Sequence, residues 1–299
     1  MVGRCRSAGA LAAPLVVLLL AAAPAPARPG QQAPPQGQAP GATAAPDRTA
    51  FPWSRTAVPL LGIGEVQAGE AAGGASWRVG TSRGAVLVWR PAGYHSRDAG
   101  VVVYLHGYFT TTDQAVADHR LLEQFRASGR NALFVVPESP AWNGEDPVWQ
   151  APGPLLDEVF RRTGLTPPHG PLVVAAHSGG FRPLLLWLGD PRLEEVLLLD
   201  GLYRSEEQLR AWLEAAPPGA PRRLVLVGDE TAQKAEALAA AVPGAVVLPR
   251  VPAARAGLDG AARTTRLLSI RSQYNHMAIV ESGEVLPLLL RASRLPPVH

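Results

Sequence analysis

Ser178 stands in the run Ala176-His177-Ser178-Gly179-Gly180, and its neighbours decide what its hydroxyl can do. A serine hydroxyl is a weak nucleophile until a base takes its proton, and the base in turn needs a third group to orient it. The sequence offers a histidine for this, His276, and two aspartates, Asp200 and Asp229, each closing an apolar run. Together, serine, acid and histidine would carry out acyl transfer: attack on a carbonyl, an acyl-enzyme, and release by water. Small residues flanking Ser178 suit a strained turn between a strand and a helix, where bulky side chains two positions away would clash. The N–H of Gly179, at the start of that helix, would then face a developing oxyanion.

Such residues need a scaffold that brings distant positions to one edge. Continuous apolar runs recur: GVVVYLHG (100–107), NALFVVPES (131–139), GPLVVAAHS (170–178), LEEVLLLDG (193–201), RRLVLVGD (222–229) and TRLLSIRS (265–272). Helical stretches alternate with them, at 114–128, 155–162, 181–190, 205–216, 230–242 and 284–293. The runs ASWRVG (75–80) and GAVLVWRP (84–91) read as an opening hairpin. Strands apolar on both faces and alternating with helices predict an α/β fold: a mostly parallel sheet of about eight strands, covered on both sides. Ligands bind at the carboxyl ends of such strands. The residues there are His106-Gly107-Tyr108, Glu138, Ser178, Asp200 and Asp229, with His276 soon after the last strand. The loop HGYF supplies the backbone N–H of Tyr108 as a second oxyanion donor.

The serine turn, the HGYF loop and the order Ser178, acid, His276 resemble the alpha/beta hydrolases, from about residue 75 to residue 293. Ala176 stands where that family usually has glycine, and the stretches HSGGFR and LLDGLY resemble its secreted bacterial members. The resemblance implies a serine hydrolase cleaving a carboxylic ester, with no cofactor. A peptidase or amidase with the same triad, or an inactive binding protein on the same fold, are the alternatives. Family members often insert a cap after the sixth strand. The short DGLYRSEE here implies no large cap and an open site for a small-molecule or polymer-attached acyl substrate.

Local capping separates the two candidate acids. Asp229 precedes a helix with no other obvious N-cap, so a structural role accounts for it. The helix after Asp200 has Ser205 and Gln208 as a capping box, so Asp200 is not needed there. Asp200 also ends the run VLLL, where a carboxylate is costly unless partnered. Asp200 is therefore favoured as the acid, with Asp229 as the alternative. His106, Gly107 and His177 are expected to shape the walls, and Glu138 to hold a turn. Trp142 and Trp149 are candidates for an apolar wall against substrate, or for packing on their own domain. The histidines show no metal-ligand spacing, so no metal site is expected.

The 299 residues carry a formal net charge of +3, with 47% hydrophobic and 18% charged residues. The basic residues are scattered, which gives no nucleic-acid footprint. Residues 1–27 combine Arg4 and Arg6, the run ALAAPLVVLLLAAA, and Ala25-Pro26-Ala27, the pattern of a cleaved signal peptide. That run is shorter than the roughly 17–20 residues of a membrane span and is interrupted by Pro14. The expectation is export to the periplasm or beyond, with no stable span after cleavage. Cys5, the only cysteine, lies within the signal, so the mature protein would hold no disulfide. Residues 28–50, rich in Pro, Gly and Gln, read as a disordered linker, and 51–299 as the hydrolase domain. The sequence carries no signal of oligomeric state.

Overall fold

The computed structural model describes residues 61–217, 222–258 and 260–298. The expected signal, the linker and positions 51–60 of the domain lie outside the described residues.

The strands are β1 (Val66–Ala71), β2 (Gly74–Thr81), β3 (Gly84–Pro91), β4 (Gly100–Leu105), β5 (Ala132–Pro137), β6 (Leu172–His177), β7 (Leu193–Leu199), β8 (Arg223–Gly228), β9 (Val246–Leu248) and β10 (Leu267–Arg271). The helices are α1 (Thr112–Asp118), α2 (Leu121–Ser128), α3 (Pro152–Thr163), α4 (Phe181–Trp187), α5 (Glu206–Glu214), α6 (Ala232–Ala241), α7 (Gly260–Thr264), α8 (Ala278–Glu281) and α9 (Val285–Ala292). One sheet holds the strands in the order β1-β2-β3-β5-β4-β6-β7-β8-β10-β9. The first three run as an antiparallel meander, and β3 joins β5 antiparallel. From β5 to β9 every pairing is parallel.

The central strands are buried along their whole length, and their side chains alternate between two cores. On one face Val103, Leu105, Val174, Ala176 and Leu198 pack with Leu155 of α3, Trp187 of α4 and Trp212 of α5. On the other, Val102, Tyr104, Val173, Ala175 and Leu199 pack with Phe125 of α2 and Leu289 of α9. Each valine or leucine among them contributes about 1.5–3 kcal/mol on burial. That is the physical reason an all-apolar run stays in the middle of the sheet.

The strand order reverses around β4. The chain leaves β4 for β5 on one side, then returns to β6 on the other. A crevice opens at the carboxyl ends of β4 and β6 at such a reversal. Leu105 pairs with Ala176 there, so the segments beginning at His106 and Ser178 emerge side by side.

The structure departs from the sequence reading in several elements. β1 and β9 were not expected. β1 is mostly exposed and is held by its ladder to β2 rather than by a core, so it leaves no apolar signature. The helix expected over 114–128 is two helices, broken at Arg120, whose φ of 48° is left-handed. The break turns His119 into the interior, where its Nδ1 meets the Tyr104 hydroxyl at 3.2 Å. Ser205 precedes α5 but its side chain makes no capping bond, so the expected capping box is absent. The hydroxyl is buried instead, with no hydrogen-bond partner among the described residues.

Candidate active site

β6 delivers Ser178 into a three-residue 3₁₀ turn, Ser178–Gly180, that runs directly into α4. Ser178 has φ of 49°, in the left-handed region that costs a non-glycine residue of order 1–2 kcal/mol. The flanking residues show why the turn needs small side chains. A methyl at position 180 would lie 2.4 Å from the Leu105 carbonyl oxygen on the adjacent strand. A methyl at position 179 would lie 2.4 Å from Cε1 of Tyr108. Position 107 is close but less tight, since its methyl would lie 3.0 Å from Ser178 Cβ. Gly179 and Tyr108, the two expected oxyanion donors, are therefore in direct apposition beside Ser178.

Asp200 follows β7 with φ of 45°, and its carboxylate is completely buried. Oδ1 accepts the N–H groups of Asp229 and Thr231, both at 3.0 Å, and the Thr231 hydroxyl at 2.8 Å. Oδ2 accepts the N–H of Glu230 at 3.3 Å and Nδ1 of His276 at 2.7 Å. A carboxylate can only accept here, so Nδ1 carries the proton and Nε2 of His276 keeps its lone pair. Burial alone would raise the Asp200 pKa. The hydrogen bonds from His276, Thr231 and Asp229 outweigh it and hold the group well below the usual carboxylate range. His276 moves the other way: the hydrogen bond to Asp200 raises its pKa, against burial, which lowers it.

Asp229, the alternative acid, reaches this network only through its backbone N–H. It does not cap α6 with its side chain either, because Thr231 occupies the N-cap position. The capping reasons for separating the two aspartates therefore do not hold. Asp200 binds the N–H groups that open α6 from the neighbouring strand end, and the same carboxylate holds His276.

His276 sits in the loop between β10 and α8. Ser272 N–H anchors that loop to the Gly228 carbonyl at 2.7 Å, and Asn275 Oδ1 accepts the Ala278 N–H at 2.8 Å. His177 supports it from below: its ring lies 4.7 Å from that of His276, and Nε2 donates to the His276 carbonyl at 3.2 Å. Burial first, then His276 and His119 nearby, lower the His177 pKa to about 3, so it stays neutral.

A cavity of about 580 Å³ opens over these groups, lined by Gly107, Tyr108, Phe109, Ser178, His276 and Met277, with His119 and His177 in its wall. Phe109 and Met277 are 54% and 42% exposed at its mouth. Sequence reasoning missed both; their positions, directly after Tyr108 and His276, were the available signal.

His106 is not at the cavity surface. It is buried, accepts the Ser139 N–H on Nε2 at 3.0 Å, and donates from Nδ1 to the Gly107 carbonyl at 2.9 Å. It fixes the turn that carries Tyr108. Glu138 accepts the Thr112 N–H at 3.3 Å and serves the same region structurally. Of the two readings open for Trp142 and Trp149, the structure shows both packed on their own domain. Trp149 packs into the core over α3 and α4, where its carbonyl accepts Trp187 Nε1 at 2.8 Å. Trp142 folds over Gly144 in its own loop, where a methyl at 144 would lie 2.2 Å from its ring. Neither lines the cavity.

Tyr203 was also missed. Its hydroxyl donates to Glu230 Oε2 at 3.2 Å and interacts with the Ser178 side chain. Burial, then Asp200 and Glu230, raise its pKa to about 12. Asp200, Glu230 and His276 bring potential metal ligands within 4.8 Å of one another. An ion there would have to displace the proton that joins His276 to Asp200, so the set suits a hydrogen-bonded acid and base better than a metal. Among the described residues, no helix is long and apolar enough to cross a membrane.

No protein-family model and no curated protein sequence matches the chain. Solved structures overlap it loosely. An S-formylglutathione hydrolase from Agrobacterium tumefaciens shares 14% identity over 77% of this chain and 99% of its own, with a TM-score of 0.45. A feruloyl esterase module from Clostridium thermocellum shares 10% over 78% and 96%, with a TM-score of 0.47. A cold-adapted esterase from an Arctic intertidal metagenomic library shares 15% over 80% and 100%, with a TM-score of 0.42. At such values the overlaps carry no chemistry across. The chain's own features are more telling: a strained serine between strand and helix, a loop after β4 beside it, and the order Ser178, Asp200, His276. By these features the chain has the fold of the alpha/beta hydrolases.

Proposed function

We propose that the protein is a serine hydrolase that cleaves carboxylic esters through an acyl-enzyme. The observation that carries this reading is the Asp200–His276 hydrogen bond at 2.7 Å, in a cavity that Ser178 shares at the tip of a strained turn. With Nδ1 protonated toward Asp200, Nε2 of His276 takes the Ser178 proton as the hydroxyl oxygen attacks the ester carbonyl. The carbonyl π electrons move onto oxygen, and the N–H groups of Gly179 and Tyr108 stabilise that charge by very roughly 3 kcal/mol each. Collapse expels the alcohol, which takes the proton from His276. Water then enters, gives a proton to His276 and attacks the acyl carbonyl; collapse releases the acid as the Ser178 oxygen takes that proton back from His276. Asp200 stays ionised throughout and offsets the transient imidazolium charge.

The cavity mouth, with Phe109 and Met277 exposed beside Ser178, suits an acyl group on a small molecule or a polymer. No cofactor enters this scheme. Residues 1–27 support export of the enzyme as a cleaved precursor.

A fluorophosphonate probe tests the reading. Ser178 is expected to be labelled, and Ser178→Ala to lose labelling together with ester hydrolysis, by on the order of 10⁴-fold or more. A folded Ser178→Ala protein that kept most of its activity would overturn the assignment. A wild-type protein that is neither labelled nor active on any ester would identify a binding protein on a hydrolase fold.

A further inference from the structure

Arg182 lies four residues after Ser178, on the helix that carries the nucleophile, and the scheme above gives it no part. It does not line the cavity at Ser178. Its guanidinium reaches sideways into a loop distant in sequence. Nη1 approaches three carbonyl oxygens of one turn: Glu145 at 2.7 Å, Asn143 at 2.9 Å and Trp142 at 3.5 Å. A guanidinium is always charged and cannot accept, so converging carbonyls suit it.

The turn it grips is closed on itself. Glu145 N–H returns to the Trp142 carbonyl at 3.2 Å, and Glu145 Oε2 accepts the Ala141 N–H at 2.6 Å. The turn in turn holds the loop after β4. Ala141 O accepts the Phe109 N–H at 2.7 Å, and Asn143 Oδ1 accepts the Tyr108 hydroxyl at 3.4 Å. The Tyr108 ring is pressed against Gly179 on its other side. Phe109 has φ of 61°, so this loop is kept in a conformation it would not adopt freely.

We infer that Arg182 is a positioning residue that sets the spacing of the two oxyanion donors. It connects the helix bearing the Gly179 N–H, through the 141–145 turn, to the loop bearing the Tyr108 N–H. The inference rests on the serine-hydrolase reading, which assigns those donors. Preorganised donors act only if they are already spaced for the oxyanion, and a displacement near 1 Å can cost about 10²-fold in rate. Loss of the clamp should therefore weaken transition-state binding and leave ground-state binding and the base untouched.

The test uses the full-length protein with p-nitrophenyl acetate as substrate. Arg182→Met keeps the aliphatic stem and removes the donors. It is expected to lower kcat by about 10–100-fold with KM within about twofold of wild type. Affinity for a trifluoromethyl ketone, which adds to the serine as an oxyanion, should fall by the same factor. The acid-limb midpoint of the pH profile, set by His276 and Asp200, should not move. Arg182→Lys should recover part of the loss, and Asn143→Ala should give a smaller loss of the same kind. A kcat within about twofold of wild type in Arg182→Met, or a change confined to KM, would overturn the inference. If Arg182→Met does not fold, Arg182→Gln carries the same criterion, because its shorter amide cannot reach the three carbonyls that Nη1 meets. Ser178→Ala serves as the control. If it stays active, the hydrolase reading itself fails; if it is dead while Arg182→Met is fully active, only the clamp fails.

Discussion

His276 Nδ1 lies 2.7 Å from Oδ2 of Asp200, whereas Asp229 offers the same carboxylate only its backbone N–H, 3.0 Å from Oδ1. The two aspartates thus have different parts, and the difference can be measured. Asp200→Asn keeps the shape but removes the acceptor that fixes the histidine tautomer, and kcat should fall by about 10³–10⁴-fold. Asp229→Asn preserves the N–H and should stay within a few-fold of wild type. Steady-state kinetics on purified variants with unchanged circular dichroism decide this. A reversed order would make Asp229 the acid.

The pH dependence follows from the same bond. The hydrogen bond to Asp200 raises the His276 pKa above its ordinary value of about 6.5. The base must be neutral, so kcat/KM should fall on the acid side with a midpoint above that value. Stability has the opposite sense. The pair favours the protonated histidine, so its contribution is full below the ordinary value and is lost as pH rises through the raised one. Asp200→Asn should shift the His276 titration downward, which NMR can follow directly. A midpoint below about 6.5 in the wild type, or one that Asp200→Asn leaves in place, would contradict this account.

The turn at Ser178 holds a left-handed residue, and its strain can be read from two inactive variants. Ser178→Gly relieves the left-handed penalty, while Ser178→Ala keeps it. Glycine also costs more chain entropy on folding, so the net advantage of the glycine variant should be about 1 kcal/mol. In a domain of this size that is roughly 2–4 °C in Tm. Both variants should be catalytically dead. Calorimetry that found the alanine variant equal or more stable would show the turn to be unstrained in solution.

Export can be checked in the native host. The mature chain should begin near Arg28 and be recovered outside the cytoplasm, as the residue pattern of positions 1–27 implies. N-terminal sequencing that returned Met1 or Val2 would reject a cleaved signal.

The scaffold and the chemical inventory were legible in one dimension. Short, valine-rich apolar runs such as 172–176, bounded by glycine and proline, read as strands buried on both faces, and alternation with helices makes their sheet largely parallel. Small residues around Ser178 marked the turn, because any larger group at 180 meets the Leu105 carbonyl. Periodicity and local caps did not determine partnership. Ser205 and Asp229 read as caps from their neighbours in the chain, yet the Ser205 side chain makes no cap bond and the N–H groups that open α6 receive the Asp200 carboxylate from another strand. Trp149 could face substrate or its own domain on sequence grounds, and only the packed structure puts it in the core. Arg182, two residues past the elbow glycines, carried no signal in one dimension; its three carbonyl partners lie at least 37 positions away. Capping rules and hydrophobic periods act over a few residues. The hydrogen bonds that orient His276 and Tyr108 close only after the sheet has brought the ends of β4, β6, β7, β8 and β10 to one edge, so tertiary structure alone decides them.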